Sequence, residues 1–141
     1  MATDFLAIAD AISTKAGAIS GIRGASARVP DNLPYTPYAV VFPPDAKLTR
    51  NISQDVIEST FPVYLYLARP GDTARTLALV YPYINSFYTA WRSGLTLATA
   101  NVQESYIEGH ELDDLPDYGG RYLGIRFRVV VRTRENVTRT A

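Results

Sequence analysis

The most regular apolar pattern in the chain lies between residues 77 and 91. Leu77, Val80, Tyr81, Ile84, Phe87, Tyr88 and Trp91 recur at helical spacing inside an arc of about 120°. This predicts a helix capped by Asp72 and ended by Gly94, with a kink near Ala78 caused by Pro82. Its aromatic stripe reads as packing onto a sheet, with no cofactor stack required. A second helix is predicted over Asp4 to Ala16, where Phe5, Ile8, Ala9, Ile12 and Ala16 share one side. Thr3 or Asp4 serves as its N-cap and Gly17 as its stop.

Between and after the helices the apolar period changes to two. Val56 to Ala68 is the longest predicted strand, with Ile57, Ser59, Phe61, Val63, Leu65 and Leu67 on one face. Glu58, Thr60, Tyr64 and Tyr66 take the other face. Pro62 cannot donate to a ladder, so a bulge or a free edge is expected there. Shorter strands are predicted around Ile22–Val29 and over Tyr38–Phe42. Pro43 to Asp55 has no period and is expected to be a long loop, a natural place for a partner contact. A strand over Val102–Glu108, an acidic loop and a last strand complete the chain. In the last strand Ile125, Phe127, Val129 and Val131 alternate with Arg126, Arg128 and Arg132, so one side packs inward and the other meets solvent or a neighbour. Residues 135–141 read as a polar tail.

The predicted order is α-β-β-β-α-β-β. It implies an α+β fold, a single domain over residues 1–141 with a mixed or antiparallel sheet packed by two main helices. A chain of 141 residues with 47% hydrophobic and 20% charged residues has the composition of one folded soluble domain.

Chemistry is sparse. The absence of cysteine excludes a disulfide framework, a thiolate nucleophile and Cys-based metal centres. With one histidine there is no basis for a serine-hydrolase triad, and no Walker loop or dinucleotide fingerprint occurs. Gly21-Ile22-Arg23-Gly24 matches a GxxG loop but lacks flanking helices and a basic domain around it. His110 with Asp113 leaves a small metal-dependent enzyme as a minor alternative. The expected reading is a non-enzyme without cofactors or bound metal. No apolar run is long enough to cross a membrane. Met1-Ala2-Thr3-Asp4 lacks the start of a signal peptide, so folding in a cytoplasm is expected.

The charge pattern is more informative than its sum. Fourteen basic residues balance 14 acidic ones, which argues against a general nucleic-acid binder. Of the basic residues only Lys15 and Lys47 are lysines, and ten residues are tyrosine. Arginine and tyrosine favour interface centres, although a GC-rich genome alone also raises arginine over lysine. Residues 101–120 carry Glu104, Glu108, Glu111, Asp113, Asp114 and Asp117 with no basic residue, and residues 121–141 are rich in arginine. Two readings stand open: a hairpin that pairs its own charges, or an acidic edge that meets a basic edge of a neighbour in a ring.

Beyond these patterns, the chain resembles the tail terminator (tail completion) proteins of long-tailed bacteriophages, the group that includes the lambda tail terminator. The resemblance rests on the N-terminal amphipathic helix, the Pro34–Pro44 segment, the long strand running into the LVYPYINSFYTAW helix, and Tyr122–Val131 at the end. It implies a ring-forming virion protein, a homohexamer, made in the host cytoplasm and placed at the head–tail junction. Such a ring caps the tail tube, ends tube polymerisation and offers a docking face to the head-completion or connector protein. Genomic DNA passes through it without sequence-specific binding. A head-closure protein or a tail-tube subunit is the neighbouring alternative. Lys47, Arg50, Arg126, Arg128 and Arg132 are the expected subunit-interface or channel-facing residues. Glu111, Asp113, Asp114 and Asp117 are the expected acidic interface loop.

Overall fold

A computed structural model describes residues 4–30, 33, 37–50, 54–68, 73–92, 97, 102–115 and 122–136. They form two helices and a mixed six-stranded sheet, the α+β single domain expected from the pattern. The order is α1 (Phe5–Gly17), β1 (Gly24–Ser26), β2 (Tyr38–Val41), β3 (Asp45–Arg50), β4 (Gln54–Ala68), α2 (Thr73–Arg92), β5 (Val102–Leu115) and β6 (Tyr122–Asn136).

Helix α1 starts where the sequence places it. The Asp4 carboxylate accepts a hydrogen bond from the Ala7 N–H at 3.0 Å, satisfying one of the amides that a first turn leaves without an intrahelical partner. Gly17 is the last helical residue rather than the stop, and Ala18 caps the end in right-handed geometry. Asp4→Ala is expected to cost about 1 kcal/mol, the usual loss for an N-cap. Thermal denaturation followed by circular dichroism measures it.

Strand order across the sheet is β1-β2-β4-β6-β5, and β3 also pairs with β4. The two short strands share one side of the long one. Antiparallel β2 covers Val63–Tyr66 of β4, and antiparallel β3 covers Asp55–Thr60. Pro62 falls at the junction between them. Its carbonyl accepts from the Phe42 N–H at 2.9 Å, while the chain at Pro43 and Pro44 leaves the ladder. The missing proline donor therefore faces a gap already present, which answers the expectation of a free edge at that point. The β4 irregularity lies elsewhere, between Tyr66 and Ala68.

Two expectations need correction. The Pro43–Asp55 stretch is not one long loop, because Asp45–Arg50 forms β3. The acidic loop is likewise mostly strand: β5 continues past Glu108 to Leu115 and takes in Glu111, Asp113 and Asp114. In both segments pairing with a strongly patterned neighbour supplies what local propensity lacks. Asp117, Asp72, Gly94 and the 137–141 part of the tail lie outside the described residues.

Both helices pack on one face of the sheet, α1 over β1 and β2, and α2 over β4 and β5. Ile8, Ile12 and Ala16 meet Ala39, Val41, Phe61, Val63, Leu65, Ile125, Phe127 and Val129, all essentially inaccessible to water. Phe87 stacks on Phe127 at 4.0 Å and on Trp91 at 5.8 Å, so the α2 aromatic stripe is core packing. Tyr81 departs from the expected stripe at 72% exposed. It lies at the rim of the apolar arc, where a helix resting on a sheet turns toward solvent. The helix is continuous through Pro82.

Candidate functional site

The face of the sheet opposite the helices is split into two zones by the residues each strand presents there. At one end Tyr38 and Val40 of β2, Tyr66 of β4 and Tyr122 of β6 form a second apolar cluster, joined by Leu33, Phe42 and Tyr64. Tyr66 meets Tyr122 edge-on at 5.8 Å, and Phe42 lies 4.5 Å from Tyr64. Strands β1 and β2 are parallel, and Leu33, which lies between them in the chain, packs into this cluster. The Arg126 guanidinium lies 5.1 Å above the Tyr64 ring, a cation–π contact that extends the cluster toward β5.

At the other end the exposed positions carry charge. Register sets Lys47, Glu58, Arg132 and Glu104 in one row across β3, β4, β6 and β5. Their signs alternate. Arg132 donates to Glu58 at 3.2 Å and lies 2.9 Å from Glu104. The hydrogen bond to Glu58 and the nearby Glu104 charge hold the Arg132 guanidinium above its ordinary pKa. Arg128 donates to Glu111 at 3.0 Å. These groups are about two-fifths or more exposed, so each pair contributes little to folding; their effect is to fix where the charges sit.

Arg128 owes its course to Gly109. A Cβ at that position would collide with the Arg128 guanidinium, and Gly109 follows a register shift in β5 that brings it opposite Arg128. On the helix side of β5, the Tyr88 hydroxyl and His110 Nδ1 are hydrogen-bonded at 2.8 Å. His110, Leu112, Val80, Tyr81 and Ile84 line an open groove of about 400 Å³ between α2 and the β5 edge.

The expected site residues are thus separated by the fold. Lys47 is exposed on β3, and Arg50 stands opposite Asp55 at the end of the same strand. Arg126, Arg128 and Arg132 lie on β6, an inner strand flanked by β4 and β5. Two of these three are ion-paired within the chain, the outcome of a hairpin that matches its own charges. Glu111, Asp113 and Asp114 stand on β5. Glu104 belongs to the acidic half of that hairpin, whereas Glu58 and Gly109 are neighbours of these arginines that the sequence pattern does not single out. Glu58 was readable on the charged face of its strand, but only register connects it to Arg132.

For a metal-dependent enzyme the arrangement offers little. His110 and Asp113 occupy β5 positions of opposite parity, level with Phe127 and Gly124. Among the described residues no three His, Asp or Glu side chains gather as a metal site. A comparison with protein-family models finds none that matches the chain, and a search of curated proteins finds no match either. The fold and its open face define an α+β protein that presents a patterned surface.

Proposed function

We propose that the chain is a structural protein of a phage virion, a tail terminator that forms a closed ring at the head–tail junction. In this reading the ring, a homohexamer, caps the last ring of the tail tube, ends tube growth and receives the head-completion or connector protein. Genomic DNA passes through its opening without sequence-specific contacts. The reading is carried by one observation: among the described residues the sheet ends in two open, unlike edges, β5 on one side and β1 with β3 on the other. Contacts between unlike surfaces repeat from copy to copy and close into a ring when the rotation permits. The element order that underlies the terminator resemblance adds support.

Electron microscopy of the purified protein tests it. Single closed rings with a central opening are expected, and addition of these rings to growing tail tubes should stop elongation. Long tubes formed by the protein alone would instead mark a tube subunit, and a monomer at high concentration would remove the ring.

A further inference from the structure

We propose that copies of this chain join side by side through the acidic β5 edge of one copy and the basic β1–β3 edge of the next, an inference that rests on the ring reading above. Between Val102 and Leu115, β5 carries Glu104, Glu108, Glu111, Asp113 and Asp114 and neither lysine nor arginine. At the opposite side of the sheet, β3 carries Lys47 and Arg50 against Asp45, and Arg23 and Arg28 flank β1. Arg23, Arg28, Lys47, Glu108 and Glu111 are exposed. The two edges are therefore opposite in sign.

They also match in level. Lys47, Glu58, Arg132 and Glu104 share one row of the sheet. A second copy set beside the first brings its Lys47 level with Glu104, so the alternation of sign continues across the boundary. At the other end, Ser26 of β1 shares a row with Val40, Tyr64, Arg126 and Glu111. This sets β1 and its flanking arginines level with the Glu111–Asp114 half of β5.

The last strand cannot serve as the basic side of the junction. It lies inside the sheet, flanked by β4 and β5, so its arginines do not stand on either edge. The contact is made by side chains and not by addition of a strand. Register shifts between Val102 and Glu104, and between Ile107 and Gly109, leave Gln103 and Glu108 as extra residues on the outer strand. Bulges and charges of this kind prevent a regular ladder from forming on an edge. Opposite charges at close range across such an edge set partner choice and orientation, and weaken with salt.

The test uses two full-length variants in which one edge is reversed: Arg28→Glu with Lys47→Glu, and Glu108→Lys with Glu111→Lys. Circular dichroism checks that each is folded, and sedimentation gives the particle mass. Each variant alone is expected to be monomeric at concentrations at least tenfold above those at which the unaltered chain assembles. Their equimolar mixture, whose reversed edges match, is expected to regain particles of the unaltered mass. Should a reversed variant fail to fold, Lys47→Gln and Glu108→Gln replace the pair, each expected to weaken assembly severalfold and more so at low salt. Variants that assemble like the unaltered chain, or a mixture that stays monomeric, overturn the edge contact while leaving the ring reading intact. An unaltered chain that never assembles removes both.

Discussion

Phe127→Ala is expected to cost about 4 kcal/mol. The Phe127 ring is fully buried and lies 4.0 Å from Phe87 in near-parallel contact, with Tyr88 edge-on at 6.5 Å and His110 at 5.9 Å. It joins α2 to the middle of the sheet, so its removal leaves a cavity between two rigid layers with little freedom to close. Against a total stability of about 5–15 kcal/mol for a domain of this kind, such a loss is a large fraction. The midpoint of thermal unfolding is expected to fall by about 10 °C or more. Urea denaturation measures the free energy directly, and a loss under about 1 kcal/mol would show that α2 is not anchored there.

Ile12→Asp should be more damaging still. Ile12 is fully buried on the inner face of α1, beside Ile8 and Ala16. A carboxylate there lies beside Ile8 and Ala16 in a layer made almost wholly of apolar side chains. The cost is several kcal/mol, enough to detach the helix from β1 and β2 or to unfold the chain. Burial raises the carboxyl pKa above its unfolded value, because the neutral form is the one the core tolerates. The variant is therefore most stable below the unfolded carboxyl pKa, near 4, and loses stability as pH rises. Asp10→Ala on the exposed side of the same helix is the control and should change stability by less than about 0.5 kcal/mol. Urea titrations at pH 4 and pH 7 check both points.

Where the sequence carried a strong period, it foretold the element. The Ile8–Ile12–Ala16 stripe, the alternation from Ser59 to Leu67 and the Ile125–Val131 row all face the core as their spacing requires. The stretch Asp45–Arg50 is different. Its residues are exposed wherever their side chains are described, including Leu48, and its strand state comes from β4 beside it. The same holds for His110–Leu115, where acidic residues of low strand propensity are held by pairing with β6. The charged row was half legible. Alternation put Arg128 and Arg132 on one side of their strand, but which carboxylate each meets depends on the offset between strands, and no local pattern encodes that.

Pro62 has a consequence for the way the sheet opens and closes. Because the ladder on that side of β4 breaks opposite it, β2 and β3 are linked to each other through β4 and the short Phe42–Pro44 connection alone. Strand β3 is exposed where its side chains are described and pairs with β4 alone, whereas β2 is buried beneath α1, so opening of β3 is expected to leave β2 in place. The proline thus acts as a seam. On one side lies the exposed strand bearing Lys47, on the other the buried β2, and amide protons are expected to exchange with solvent faster from the first than from the second, which hydrogen exchange measures.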